Sequence, residues 1–178
     1  YVDKDTSFDE IANNYALHKI MQQYGIKHPL TFHSRVDYAD QFAQRNKQIS
    51  EVPAFTVNGE QSTHERKVLL DEFAELPKAI MSNARCLTEG VDVKAIDAVF
   101  FCDPKNSIVD IVQAVGRWIR PFPGKDYGYV IVPIFHKKGD SVEDILSDDK
   151  KKHAFSNLVN VVKALCAHDE RLQAEINS

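Results

Sequence analysis

Five apolar residues in succession, Ala98-Val99-Phe100-Phe101-Cys102, constrain this chain more than any other stretch. A strand without a polar face has to be buried on both sides, which is the situation of a central strand in a helix-covered parallel sheet. The rest of the sequence supplies the other parts of such a sheet. Pro29 to His33, Val52 to Val57, Lys78 to Ser82 and Tyr127 to Pro133 read as further strands, with Val130, Ile131 and Val132 as core members. Helical patterns separate them. Ile11, Tyr15, Leu17, His18, Ile20 and Met21 predict a first helix that ends near Gly25. Val36, Ala39, Phe42 and Ala43 predict a second, started by His33-Ser34-Arg35. Val68, Leu69 and Phe73 predict a third, capped by Ser62 or Thr63 with Glu65 or Arg66 on its first turn. Asn58-Gly59 signals the turn before it. Strands alternating with helices predict an α/β fold with a mainly parallel sheet and helices on both faces.

A chain of 178 residues is long enough for one ordinary domain with a real core. Residues 1–7 are polar and expected to fray, 8–138 form the α/β domain, and 139–178 form a helical extension. In that extension Phe155, Leu158, Val159, Val162, Leu165 and Leu172 are spaced as one long helix. The start at Tyr1 suggests a piece of a longer protein. A net charge of −4 excludes binding of nucleic acid by bulk charge, so any such contact comes from a local patch. Cys86, Cys102 and Cys166 lack metal-ligand spacing and read as buried thiols of a reducing, cytoplasmic setting. No apolar run approaches a membrane span, and no signal peptide opens the chain.

The chemistry concentrates between Asn83 and Arg120. Ile108, Ile111, Val112, Val115 and Ile119 form a helical stripe, while Gln113, Arg117 and Arg120 stand at i, i+4 and i+7 on a second face. Gly116 leaves room for close approach beside them. Two guanidiniums with planar donor forks suit a polyphosphate, although a solvated helix face carries the same pattern. Upstream, Thr88-Glu89-Gly90-Val91-Asp92 follows a strand and offers a hydroxyl, two carboxylates and a flexible Gly. Loops at the carboxyl ends of strands bind ligands in open α/β sheets. A capped strand-to-helix turn is the plainer alternative.

These segments carry a resemblance. ARCLTEGVDVKAID and QAVGRWIR resemble motifs V and VI of superfamily 2 helicases and translocases, and TFHSRVDYADQFA resembles their motif IV. The resemblance covers roughly residues 8 to 135 and implies a three-layer RecA-like domain. Such motors bind ATP and nucleic acid between two RecA-like lobes. Neither GxxxxGK[ST] nor a DEAD-like acidic tetrad occurs in this sequence, so the resemblance is to the second lobe alone. It implies that ATP and Mg²⁺ are held mainly by an N-terminal RecA-like lobe of the same polypeptide. By the same resemblance, Arg120 is the arginine finger, Arg117 its partner on the γ-phosphate, and Gln113 a link between nucleotide state and lobe closure. Gly90 and Asp92 match the part of motif V near the nucleotide, and Thr88 a contact to a nucleic-acid phosphate. Ser34 and Arg35 match backbone-phosphate contacts, with an N-cap serine and a solvated arginine as the alternative. Glu89 belongs near phosphate only if it orients an Arg. Lys105, at another strand end, reads equally as a phosphate contact or part of a turn, and His33 as an interior histidine rather than a metal ligand.

Two positions depart from the family pattern: Trp118 stands where a small residue is common, and Lys94 where Pro is usual. Neither removes a charged motif residue. The expectation is therefore the second motor lobe of an ATP-dependent helicase or translocase of restriction-enzyme type, acting on nucleic acid, DNA favoured over RNA. The alternative is a non-catalytic RecA-like interaction module. A free-standing α/β enzyme of another type lacks its own phosphate loop, catalytic Cys/His pair or metal cluster.

Overall fold

The computed structural model of the protein describes residues 8–84, 95–102 and 128–133. In chain order these form α1 (Phe8–Tyr24), β1 (Pro29–His33), α2 (Val36–Ile49), β2 (Ala54–Asn58), α3 (Thr63–Glu75), β3 (Ile80–Ala84), β4 (Ala98–Phe101) and β5 (Tyr129–Ile131). The five strands make one sheet in the order β2-β3-β1-β4-β5. Every pairing in it is parallel. The parallel sheet foreseen from Ala98–Cys102 is therefore present, and β4 lies inside it between β1 and β5.

Alternation along the strands sends successive side chains to opposite faces. Leu30, Met81, Val99 and Phe101 join Leu70 and Phe73 of α3 in one core cluster. Ile80, Ala98 and Phe100 join Leu17 and Met21 of α1, and Phe42 and Ala43 of α2, in a second. Helices thus cover both faces, and Phe100 and Phe101, one on each, are 0% and 1% exposed. Val130 and Ile131 of β5 pack on opposite clusters but are only half-buried.

Three local signals explain where elements stop and start. Gly25 has φ 67°, and Ile26 N–H donates to Met21 O at 3.0 Å. This is the left-handed glycine termination, with Ile26 and Met21 both buried beneath it. Pro53 has no N–H for a ladder, so β2 begins at Ala54 rather than at Val52, while Pro53 O accepts from Ile80 N at 2.8 Å. β3 accordingly begins at Ile80, two residues later than the pattern suggested. At α3, Ser62 is the N-cap, and it forms a reciprocal capping box with Glu65.

Two helix faces differ from expectation. Val68 is 52% exposed, because α3 turns Leu69, Leu70 and Phe73 inward instead. Tyr15 is 70% exposed, and the inner stripe of α1 runs through Asn13, Asn14, Leu17 and Met21. Buried polar groups then fix helix positions. Ser82 Oγ on β3 donates to Ala39 O of α2 at 2.9 Å. Asn46 of α2, fully buried, donates from Nδ2 to Val52 O at 2.6 Å. Its oxygen therefore faces His18 of α1, whose Nε2 carries the donated proton at 2.6 Å.

The lower edge of the sheet is held by Asp97. Its carboxylate accepts from Lys27 N at 2.7 Å and His28 N at 2.9 Å, just before β1 begins. Its own N–H donates to His28 O, and its carbonyl accepts from Tyr129 N at the start of β5. His28 Nε2 donates to Leu76 O at 2.8 Å after α3. Asp97→Ala leaves two main-chain donors without their partner and should destabilise the domain by about 1–3 kcal/mol, read by urea unfolding. A pH profile tests the capping box. The hydrogen bond from Ser62 holds the Glu65 carboxyl below its ordinary 4.5. Its stabilisation is complete above that value and is lost as pH falls through the depressed one. Glu65→Gln should flatten this acid limb of the unfolding profile.

Candidate nucleic-acid interface

All strands of a parallel sheet finish at one edge, and ligands of open α/β sheets bind along it. Here β1, β3 and β4 finish together. His33 stands opposite Ala84, and Phe32 stands between Asn83 and Phe101. Cys102 N donates to Phe32 O at 3.1 Å, extending the ladder one step past β4. Behind this edge Asn13 of α1, 6% exposed, donates from Nδ2 to Cys102 O at 3.3 Å. At the end of β2, Asn58 Oδ1 accepts from Glu60 N. Gln61 bridges the strand with its carboxamide, accepting from Asn58 N at 3.0 Å and donating to Thr56 O at 3.1 Å. The β2–α3 turn is thereby fixed on its own strand.

His33 is an interior residue, as read from the sequence. It is 7% exposed, its Nε2 lies 3.0 Å from Thr31 Oγ1, and its ring centroid lies 5.1 Å from that of Phe42. Among the described residues no group of three His, Cys, Asp or Glu side chains is placed to hold a metal ion.

Ser34 and Arg35 link β1 to α2, Ser34 half-buried and Arg35 exposed. The N-cap of α2 is Arg35 and not Ser34, in extended conformation (φ −137°, ψ 151°) and with no side-chain cap hydrogen bond. Serine as an N-cap is thus corrected. The extended turn runs one residue further before the helix begins. The Arg35 side chain is engaged instead by Asp37: Nε donates to Oδ1 at 2.8 Å and Nη2 to Oδ2 at 2.7 Å. The Tyr38 ring lies 5.0 Å from Arg35 Cζ, within the range of a cation–π contact. The hydrogen bond from Arg35 holds the Asp37 carboxyl below the usual range, and that bond in turn raises the guanidinium. Both side chains remain open to water, at 62% and 45%.

The other anticipated site residues, Thr88, Gly90, Asp92, Gln113, Arg117 and Arg120, lie outside the described residues, as do Glu89, Lys94, Lys105 and Trp118. The sequence does not single out Asp37 or Tyr38. An acid two residues after an arginine at a helix start was the available signal for the first. Nor does the sequence single out Asn13, because a polar residue under a strand end leaves no mark in apolar periodicity.

The family described as helicase conserved C-terminal domain matches residues 13–121. The DNA-bound structure of the ATP-dependent type ISP restriction-modification enzyme LlaBIII is similar at 30% identity and a TM-score of 0.79. The match covers 96% of this chain and 12% of that one. The pre-mRNA-processing ATP-dependent RNA helicase PRP5 of Candida albicans is 31% identical over 155 residues, 84% of this chain and 15% of the relative. Dbp5 of S. cerevisiae, bound to RNA and ADP BeF3, shares the fold at 18% identity with a TM-score of 0.62, over 88% of this chain and 37% of that one. This chain therefore spans only a minor part of each relative's length.

Proposed function

The chain belongs to the helicase conserved C-terminal domain family, with the RecA-like fold of a superfamily 2 second lobe, and on that premise we propose that it is the second motor lobe of an ATP-dependent nucleic-acid helicase or translocase. One observation carries the reading. β1, β3 and β4 end side by side, with exposed Arg35 just beyond β1. The sequences resembling motifs V and VI are the ones that follow β3 and β4 in the chain. A nucleic-acid strand bound at that edge would meet Arg35, next to the ends of the two strands from which the segments resembling motifs V and VI continue.

In this reading the lobe meets an N-terminal RecA-like lobe of the same polypeptide, which holds most of ATP and Mg²⁺. Arg120 then reaches the γ-phosphate as finger with Arg117 beside it, and Gln113, Gly90 and Asp92 couple the nucleotide to closure. A positioned guanidinium stabilises charge on the transferring phosphoryl group without a covalent step. Ser34, Arg35 and Thr88 contact backbone phosphates. The net charge of −4 fits a lobe that grips a few phosphates by geometry rather than a strand by bulk charge. The similarity to a DNA-bound restriction enzyme supports DNA as substrate and a restriction-type parent, while the RNA helicase relatives support the same lobe on RNA. No helix among the described residues is long and apolar enough to cross a membrane. We place the lobe at residues 8–138, with 139–178 as its helical extension, in the cytoplasm.

The test is nucleic-acid-stimulated ATP turnover by the polypeptide carrying both lobes. Arg120→Ala should lower turnover by about 10³-fold or more while ATP binding is largely kept. Equal turnover would remove Arg120 as the finger. No turnover in the unsubstituted protein with nucleic acid present would favour the non-catalytic module.

A further inference from the structure

We propose that Asp37 and Tyr38 are positioning residues for Arg35, turning one edge of its guanidinium outward as a fork for a nucleic-acid backbone phosphate. The inference rests on the reading of Arg35 as a phosphate contact. An arginine has five N–H donors in one plane. Asp37 takes the Nε–Nη2 edge with two hydrogen bonds of 2.8 and 2.7 Å. The Tyr38 ring, 5.0 Å from Cζ, restricts the cation further. Among the described residues nothing takes the edge formed by Nη1 and the second hydrogen of Nη2, the donors farthest from the main chain. That edge is the one able to form a second planar fork with two phosphate oxygens.

The usefulness of this arrangement lies in orientation. A free arginine on an exposed turn samples many rotamers and loses that freedom when it binds. Arg35 already has its side chain tied down from two directions. The carboxylate is itself well placed, because Asp37 lies on the first turn of α2, where no side chain caps the helix and negative charge is favoured. Fold stability is a poor explanation for the pair, since both partners are largely solvated and exposed ion pairs contribute little. Asp37 also cancels the charge of Arg35 at a distance. The site therefore attracts polyanions weakly and holds a phosphate that arrives in the right place. Tyr38 separates the two effects, because replacing it disturbs orientation without changing charge.

The experiment uses the polypeptide with both lobes at about 0.15 M salt, the physiological ionic strength. DNA and RNA oligonucleotides of one sequence are titrated, with stimulated ATP turnover and fluorescence-anisotropy Kd as readouts. Arg35→Ala should raise the oligonucleotide KM and Kd. Asp37→Asn and Tyr38→Leu should each raise them by about two- to tenfold, with turnover at saturating oligonucleotide retained and unfolding midpoints matching the parent. In the Arg35→Ala background Tyr38→Leu should add no further change, and Asp37→Asn no further weakening. If Arg35→Ala weakens binding but Asp37→Asn and Tyr38→Leu leave it equal or tighter, the positioning role is overturned and the phosphate contact stands. If Arg35→Ala itself leaves KM and Kd unaltered, both fall. Equal fold-changes on DNA and RNA are expected of a phosphate contact. A change confined to RNA would move the contact to the 2′-hydroxyl and overturn the phosphate fork.

Discussion

The register of β1 is the constraint on which the rest of the sheet depends. β1 pairs with β3 on one side and β4 on the other, so a slip of one residue would turn Leu30 and Phe32 towards α1 and α2 and send Thr31 and His33 into the apolar cluster under α3. Asp97 opposes that slip. Its carboxylate holds the two amides before Pro29, and its backbone joins the starts of β1, β4 and β5. With the lower edge fixed, the upper ends of the strands follow at a set rise per residue. His33, Ala84 and Cys102 then finish beside one another.

The two faces of the sheet are built differently. Under α3 the packing runs through apolar residues from Leu30 to Phe101, with buried Asn83 beside Phe32 at its upper end. Under α1 and α2 the apolar cluster is interleaved with Thr31, His33, Asn46 and Ser82, all buried. Directional hydrogen bonds specify position more sharply than apolar contact does, and the helix that presents Arg35 sits on the polar face. Small residues help: Ala39 and Ala43 let α2 approach closely enough for Ser82 to reach a helical carbonyl.

Much of this was legible in sequence, for identifiable reasons. β4 was plain because a strand buried on both faces has no polar position to disguise it. β1 matched its predicted bounds, because it is internal and ends where His33 gives way to Ser34. β2 and β3 each begin two residues later than the apolar pattern suggests, because Pro53 lacks the N–H that would carry β2 back to Val52, and Ile80, which donates to the Pro53 carbonyl, opens β3. Val68 is exposed where the apolar pattern predicts burial, and Leu70 and Asn14 face inward, because apolar character alone does not decide which side of a helix is covered. At the site, Arg35 was visible from its motif. Its engagement with Asp37 and Tyr38 was not, since side-chain pairing across one turn leaves no periodic trace.

The bond from Ser82 to the Ala39 carbonyl has a mechanical consequence. Sliding α2 along the sheet would break a hydrogen bond in a dry interior and leave a hydroxyl unpaired there, a steep local cost. Helix and sheet are therefore stiff towards one another in shear. A force applied at the first turn of α2 is carried into β3 through that bond and is not taken up by sliding of the helix.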